Sequence, residues 1–280
     1  MPKFIFSTCL LFCIPAFSAC NSVFYQGDNR PWRQPESIHI RCERERIVST
    51  DGTGLQTMIC PPTGAPQGVV VQFHGNAQNM YAHYQFLAWL IKEGYTLATF
   101  DYRGYGESDG ESDREGIYQD ARSYIKHVRS RFTGTQRIFY GQSLGGAVLM
   151  RALLDEGLRP DEVYIFEGTF SSYQRVARSI LARKWFLWPI QWLSYLLVTD
   201  AYSPEGDLGA FAVQQVILIH GDADPVVDFS HGEKLSSLMR HPLWRIAGGQ
   251  HLDTWHFDHG RLRAELLVRL KATRATRPRQ

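Results

Sequence analysis

A serine inside a short glycine-bearing segment is the first residue in this chain that could carry chemistry. Residues 141–145 read GQSLG and fit the pattern Gly-x-Ser-x-Gly, with Ser143 at the centre. The pattern alone is weak in a chain with 24 glycines. Here RIFY precedes it and LGGAVLMRALL follows it, which predicts the strand–turn–helix that holds a nucleophilic serine on a strained turn. Gly141 and Gly145 would leave room for the backbone as it doubles back. We predict that Ser143 attacks an acyl carbonyl; the alternative is a glycine-bearing turn without chemistry.

A nucleophilic serine needs a base to take its proton and a carboxylate to orient that base. The segment HGDADPVV follows the apolar run QVILIH and carries three aspartates. We predict that Asp224 is the acid of a catalytic triad. Asp222 is expected to form the turn, and Asp228 is expected to cap the helix that follows.

The base must be chosen among ten histidines. His251 follows GGQ directly after the last predicted strand, so it emerges at the same end of the sheet as Ser143 and Asp224. His256 and His259 come later, near the start of the final helix, and remain alternatives. We predict His251 as the base.

The tetrahedral intermediate of acyl transfer needs two N–H groups that bind its oxyanion. Leu144, which follows the nucleophile, would supply one backbone N–H. The segment HGNAQN follows the first strand of the parallel run, and the Asn76 N–H is the predicted second donor, with Ala77 as an alternative. His74 and Gly75 would shape this loop. Taken alone, HGN would indicate only a tight turn.

These residues require a sheet that brings several strand ends together. Short apolar runs rich in β-branched residues alternate with amphipathic stretches from residue 69 onward, a pattern typical of a parallel sheet with helices on both faces. The predicted strands are GVVVQFH, TLATFD, RIFYG, VYIFEG, QVILIHG and WRIAGG. The predicted helices are Tyr81 to Lys92, Arg114 to Arg131, Leu144 to Glu156 and His231 to Arg240. Functional residues gather at the carboxyl ends of the strands in such sheets.

One stretch, of about 45 residues between VYIFEG and QVILIHG, is longer than a single crossover helix requires. It contains WFLWPIQWLSYLLV, with Trp185, Trp188 and Trp192 close together. The segment is too short and too interrupted to span a bilayer. We predict a short helical lid over about residues 170–210, with some aromatic surface facing an acyl chain or a membrane interface.

Composition limits the class of protein. With 280 residues, 44% hydrophobic and 21% charged, the chain can bury one large core. A formal charge of +2, evenly spread, argues against a nucleic-acid partner. The one basic concentration is KATRATRPRQ, predicted to be a solvated basic tail over residues 271–280.

The first twenty residues are predicted to be an export signal. Lys3 precedes the apolar run FIFSTCLLFCIPAF, which is shorter than a membrane-spanning helix needs. Small residues directly before Cys20 resemble the lipobox of bacterial lipoproteins, in which this cysteine is lipidated and anchors the protein in the cell envelope. Phe17 stands where leucine is usual. Cleavage near Ala19, with release as a secreted or periplasmic protein, is the alternative.

Two further cysteines flank a predicted hairpin. Cys42 and Cys60 lie in the alternating runs SIHIRCERERIV and LQTMIC, on either side of a DGTG turn. A hairpin would place them roughly opposite each other, and an exported pair so placed could form a disulfide. Two unrelated thiols are the alternative.

Five motifs together resemble the α/β-hydrolase family: HGNAQN, DYRGYGESDG, GQSLGG, HGDADPVV and GGQHLD, in this order over about residues 36–270. The chain is most similar to the small-lid branch that includes membrane-associated depalmitoylases and prolyl-oligopeptidase-like bacterial hydrolases. The resemblance implies the triad Ser143, Asp224 and His251, a serine-ester intermediate, and neither a metal nor an organic cofactor. DYRGYGESDG, which begins at Asp101, is characteristic of the branch and is interpreted as a structural turn.

We therefore expect an α/β-hydrolase fold with a mostly parallel twisted sheet, an N-terminal antiparallel hairpin and a helical lid. The expected activity is that of a serine hydrolase, of carboxylesterase or thioesterase type, acting on a small or lipid-like acyl substrate. The fold does not by itself determine the substrate. A serine peptidase of prolyl-oligopeptidase-like type, or a non-catalytic lipoprotein that uses the fold for binding, are the alternatives. Cys20 and the lid would both support membrane association.

Overall fold

The computed structural model describes residues 24–256 and 260–275. The predicted signal segment, including Cys20, and the alternative base His259 lie outside the described residues. The strands are Gln26–Gly27 (β1), Glu43–Val48 (β2), Gly54–Cys60 (β3), Gly68–Phe73 (β4), Ala77–Gln78 (β5), Tyr95–Phe100 (β6), Arg137–Gln142 (β7), Glu162–Glu167 (β8), Gln215–Gly221 (β9) and Leu243–Ile246 (β10). The α-helices are Met80–His83 (α1), Trp89–Lys92 (α2), Arg114–Arg131 (α3), Leu144–Glu156 (α4), Tyr173–Ala182 (α5), Ser194–Leu197 (α6), Phe229–Met239 (α7) and Arg261–Ala275 (α8).

Eight of these strands form one mixed sheet, in the order β10-β9-β8-β7-β4-β6-β3-β2. The six strands from β10 to β6 are parallel, whereas β3 runs antiparallel to both β2 and β6. The two short strands β1 and β5 pair with each other in a separate parallel sheet. The predicted fold class, an α/β-hydrolase fold with a mostly parallel sheet and an N-terminal antiparallel hairpin, is confirmed.

Helices cover both faces of the sheet, which explains why its central strands are buried throughout. All six residues of β4 are buried, and so are all six of β7. Successive side chains of a strand point to opposite faces, so Val69 joins the core cluster on one face and Val70 the cluster on the other. Helices α3, α4 and α7 pack on the first face, and α1, α2 and α8 on the second.

The helix predicted over Tyr81–Lys92 is wrong as a single element, because it is interrupted between α1 and α2. The carbonyl of His83 accepts a hydrogen bond from Nε2 of buried Gln72, at 2.9 Å. In a continuous helix that carbonyl would accept from the N–H of Leu87. Leu87 instead donates to Tyr84, three residues earlier, at 3.0 Å, so the chain tightens into a 3₁₀ turn.

The lid predicted near residues 170–210 consists of short helices. Helix α5 is followed by a 3₁₀ turn over Trp188–Leu193, then by α6 and a second 3₁₀ segment over Glu205–Val213. Gln174, near the start of α5, donates from Nε2 to the carbonyls of Tyr195 and Val198, which fixes α6 beside α5. None of the helices in the described ranges is long and apolar enough to cross a membrane.

The N-terminal hairpin and the C-terminal helix form the two ends of the described chain. Cys42 and Cys60 are joined in a disulfide, as the predicted hairpin suggested. They lie opposite each other because Glu43 pairs with Ile59 in the β2–β3 ladder. Helix α8 continues to Ala275, so the first five residues of the segment predicted as a basic tail are helical.

Candidate active site

Ser143 lies on a sharp turn between β7 and α4. Its φ angle is +51°, a value uncommon for a residue with a side chain. Two hydrogen bonds hold the turn: its N–H donates to the Glu167 carbonyl at 3.0 Å, and its carbonyl accepts from Oγ1 of Thr169 at 2.6 Å. A side chain on Gly145 would collide with the backbone carbonyl oxygens of Phe73 and His74. The strained serine turn predicted from GQSLG is therefore present, and it depends on a neighbouring glycine.

Asp224 and His251, predicted to serve Ser143, are joined by a hydrogen bond. Nδ1 of His251 lies 2.7 Å from Oδ2 of Asp224. The other carboxylate oxygen accepts the backbone N–H groups of Val226 at 2.7 Å and Val227 at 2.9 Å. Burial raises the pKa of Asp224, but hydrogen bonds from His220 and His251 outweigh it and leave the pKa below its ordinary value. The carboxylate therefore stays ionised and fixes the ring of His251 with Nε2 pointing away from Asp224.

The turn at Glu167 and Gly168 brings His251 close to Ser143. The Glu167 carbonyl binds the Ser143 N–H. A methyl group added to Gly168 would lie 3.4 Å from Nδ1 of His251. Gly168 has a φ of +55°, a conformation that favours glycine and leaves room for the ring of His251. Ser143, Asp224 and His251 thus lie around one turn at the carboxyl end of β8.

The other candidates in these segments have structural contacts. Asp222 accepts the Gly248 N–H at 2.7 Å and closes the turn after β9. Asp228 accepts the Ser230 N–H at 3.1 Å at the start of α7. His256, the described alternative base, is exposed and its ring packs edge-on to Phe86 at 6.4 Å.

The two predicted oxyanion donors belong to two segments that meet at Ser143. Leu144 is the first residue of α4, where the backbone N–H has no partner within the helix. Asn76 belongs to the loop after β4, and a methyl group on its neighbour Gly75 would lie 3.5 Å from Cβ of Ser143. Oδ1 of Asn76 accepts the Gln26 N–H at 2.8 Å, so β1 holds this loop in place. The alternative donor Ala77 lies in β5, which pairs with β1.

Buried polar side chains hold the loop after β4 through hydrogen bonds. Asp101, at the end of β6, accepts the Met80 N–H at 2.7 Å and has no exposed side-chain surface. Tyr102 donates from its hydroxyl to the His74 carbonyl at 3.2 Å. Nε2 of His83 donates to the Ala77 carbonyl at 2.8 Å. These contacts give the segment that begins at Asp101 a structural role, as its motif suggested.

Sequence reasoning missed a polar network below the serine turn. Nε2 of Gln72 donates to Oε1 of Gln142 at 2.7 Å. Nε2 of Gln142 and the Tyr140 hydroxyl both donate to Oε2 of Glu167, at 2.9 and 2.8 Å. Burial raises the pKa of Glu167. Trp255 extends the network through its Nε1 to the Tyr140 hydroxyl at 2.9 Å. A signal existed in the sequence: three apolar strands each carry an amide or carboxylic side chain at the last or the penultimate residue.

Within residues 24–256 and 260–275, no group of three or more His, Cys, Asp or Glu side chains could hold a metal ion. The described site consists of a serine, a histidine, an aspartate and backbone donors.

Two comparisons with known proteins extend this description. Residues 64–203 match the family model described as serine aminopeptidase, S33. The uncharacterized protein YfhR of Escherichia coli K12 is 31% identical over 282 residues, covering 96% of this chain and 93% of YfhR. The chain belongs to the α/β-hydrolase family. The match to YfhR covers nearly its whole length, so this likeness includes the described lid and hairpin as well as the central motifs.

Other α/β hydrolases are more distant. The lysophosphatidylserine lipase ABHD12 of Danio rerio is 29% identical over 184 residues, covering 61% of this chain and 47% of ABHD12. The esterase Pf2001 of Pyrococcus furiosus has a TM-score of 0.65 at 18% identity, covering 89% of this chain and 98% of the esterase chain. At that identity the structural likeness shows the fold alone.

Proposed function

We propose that this α/β hydrolase cleaves acyl esters or thioesters, with Ser143 as nucleophile, His251 as base and Asp224 as the acid that orients it. The observation that carries the proposal is the 2.7 Å bond between Asp224 and His251 beside the strained turn of Ser143. An oriented imidazole next to a serine on a strained turn is the arrangement that acyl transfer requires.

In the proposed cycle, Nε2 of His251 takes the hydroxyl proton as Oγ of Ser143 bonds to the acyl carbon. The carbonyl oxygen becomes an oxyanion, which the N–H groups of Leu144 and Asn76 bind. His251 then gives its proton to the departing alcohol or thiol, and an acyl-serine remains. A water molecule, deprotonated by His251, attacks the acyl carbon; the acid leaves and Ser143 regains its proton. Asp224 stabilises the imidazolium in both steps.

Ser143→Ala tests the chemistry. We expect this variant to lose covalent labelling by a fluorophosphonate probe and all turnover of ester substrates, since Oγ is the atom that bonds to both. Ser130→Ala removes an exposed hydroxyl on α3 and should label like the unmodified protein. Labelling that persists in Ser143→Ala would refute Ser143 as the nucleophile, and an unmodified protein that is neither labelled nor active would favour the non-catalytic binding role.

The substrate class is proposed from the lid and from the relatives. The lid carries exposed aromatic side chains, and ABHD12 of Danio rerio is by name a lysophosphatidylserine lipase. The resemblance to depalmitoylases suggests the same kind of substrate, a fatty acyl ester or thioester. Turnover of p-nitrophenyl esters should therefore increase with acyl-chain length. A rate that is independent of chain length would contradict an acyl-binding site.

A peptidase is the second candidate, because the matching family model is described as serine aminopeptidase. A peptidase would use the same Ser143, Asp224 and His251 groups. Parallel assays with aminoacyl and prolyl amides and with fatty acyl esters distinguish the two activities. The esterase proposal predicts faster turnover of the esters at equal concentration.

The proposed location is the cell envelope, outside the cytoplasm. It is supported by the charged start, apolar run and Ser18-Ala19-Cys20 sequence of the first twenty residues, and by the Cys42–Cys60 disulfide, since such bonds persist in oxidising compartments. Lipidation of Cys20 would anchor the protein, and the lid would assist its membrane association. Incorporation of a labelled fatty acid that is lost in Cys20→Ala tests the anchor.

A further inference from the structure

The lid presents apolar side chains to solvent, and we call the surface that they form the lid face. Trp185 is 86% exposed and Leu196 is 72% exposed. Monomeric proteins rarely expose a contiguous apolar surface without a binding role. The lid face consists of Trp185, Phe186, Trp188, Trp192, Leu196 and Leu197.

A cavity of about 510 Å³ lies next to the lid face, between α5 and α7. We call it the cationic cavity, because Asp228 is its one lining carboxylate and four cationic side chains line it. These four are Arg175, Arg178, Arg183 and Lys234. Glu205 pairs with two of the four, at 2.9 Å to Arg175 and 3.8 Å to Lys234. The local balance is therefore positive.

Arg178 links the cavity to the lid face. Its Nε donates to Oε1 of Gln191 at 3.2 Å, and its guanidinium lies 5.9 Å from the centre of the Tyr195 ring. Gln191 and Tyr195 both belong to the segment that carries the lid face, so the two surfaces are continuous. Among the described residues, no carboxylate lies within ion-pair distance of Arg178. The Arg178 side chain is exposed, so its guanidinium can bind an external anion.

The cavity also adjoins the loop of the proposed catalytic acid. Arg183 donates to the carbonyls of Asp224 and Pro225, and its guanidinium pairs with Asp228 at 3.0 Å. A surface that covers the cationic cavity would therefore lie beside the proposed active site.

The start of the described chain lies on the same side of the molecule. The Phe24 ring packs edge-on to the ring of Tyr173, the first residue of α5, with centres 5.3 Å apart. Cys20 precedes Phe24 by four residues, a reach of at most about 14 Å. A lipid on Cys20 that is inserted in a membrane would therefore hold the lid close to that membrane.

We propose that the lid face and the cationic cavity together dock on a bilayer that contains anionic phospholipid. This inference deepens the membrane association proposed above and rests on it. The tryptophans occupy the interface, where an amphipathic ring is favoured. The headgroup phosphates bind the cations of the cavity, which match them in charge.

Vesicle binding of the full chain tests the proposal. Partition is measured on vesicles of phosphatidylcholine alone and on vesicles with about a third phosphatidylglycerol. We expect tighter binding to the anionic vesicles, by about 5-fold for each cation at the surface, and a preference that weakens as salt increases. A lipid anchor contributes equally to both vesicle types, so the ratio of the two partition coefficients reports on the docking surface.

Charge variants isolate the cations. The double variant Arg178→Gln/Lys234→Gln, which removes two of the cations that line the cavity, should lose about 5-fold of the anionic preference for each charge removed. Arg178→Lys keeps the charge but loses the planar group, and should retain the preference. The matched control Arg41→Gln/Lys92→Gln removes two exposed cations that do not line the cavity, one just before β2 and one at the end of α2, and should bind as the unmodified protein does. A preference that persists in the first double variant would overturn the role of the cavity.

Variants of the lid face isolate the apolar contribution. Trp185→Ser/Trp188→Ser should bind both vesicle types more weakly than the unmodified protein does. Ser143→Ala should bind both as the unmodified protein does, so membrane binding and catalysis are tested independently. Equal partition of the unmodified protein on both vesicle types would overturn the proposal. So would a dimer that dissociates in Trp185→Ser/Trp188→Ser while neither vesicle type is bound, since the lid face would then contact a second copy of the chain.

Discussion

Glu167 connects the proposed nucleophile to the core of the sheet. Its backbone carbonyl accepts the Ser143 N–H, while its carboxyl group accepts from Tyr140 and Gln142. The side chain is buried, so any donor left without it would be cut off from water. One residue thus supports both the backbone of the serine turn and the polar groups beneath it.

Replacing Glu167 tests this support. Glu167→Leu leaves the donors of Tyr140 and Gln142 without an acceptor, and we expect it to lower the free energy of unfolding by about 2–5 kcal/mol. Glu167→Gln keeps the shape and one acceptor oxygen, and should cost less than Glu167→Leu. Denaturant midpoints provide the measurement, with Glu93→Gln, an exposed carboxylate, as the unchanged control. Equal losses in the two Glu167 variants would show that the hydrogen bonds are unimportant.

The β2–β3 hairpin depends on its disulfide as well as on its ladder. Cys42 and Cys60 are 18 residues apart in sequence, and a bridge that closes a loop of this size restricts the unfolded chain by about 3 kcal/mol. Cys42→Ser/Cys60→Ser should lower the free energy of unfolding by about that amount. Ester turnover should be preserved below the melting temperature, because Ser143 follows β7, three strands away from β3 in the sheet.

The same comparison under reducing conditions is the control. Reductant should lower the stability of the unmodified protein to that of Cys42→Ser/Cys60→Ser and leave the variant unchanged. If reductant lowered the stability of both proteins equally, the loss would not come from the Cys42–Cys60 disulfide.

Helices and strands that apolar spacing marks were predictable, whereas hydrogen bonds between individual side chains and groups distant in sequence were not. Helices α3 and α4 have the predicted bounds: apolar spacing marks both, the Asp113 side chain caps the start of α3, and Gly157 follows the end of α4. The interruption between α1 and α2 depends on Gln72, which lies eleven residues from the carbonyl it binds. The Gln72–Gln142–Glu167 network likewise joins three strands. The proposed triad residues were identifiable because each follows a recognisable strand end.

Stability of the whole molecule should depend on pH through histidines that fold in their neutral form. Burial, together with the neighbouring His74, lowers the pKa of His83 to about 3. Burial also lowers the pKa of His231 to about 4. The unfolded chain binds protons at these sites near an ordinary histidine pKa of about 6.5. Between those values the unfolded state holds more protons than the folded state, so stability is present above about pH 6.5 and is lost as pH falls.

This linkage gives the last prediction. From pH 7 to pH 5, His83 alone should remove about 2 kcal/mol from the free energy of unfolding, because its folded form stays neutral over that range. His83→Gln retains a donor for the Ala77 carbonyl but does not titrate, so its free energy of unfolding should fall less between the two pH values. His256→Gln, at an exposed histidine, should fall as much as the unmodified protein. Urea titrations at both pH values measure the difference, and an equal loss in His83→Gln and the unmodified protein would mean that His83 does not titrate on unfolding.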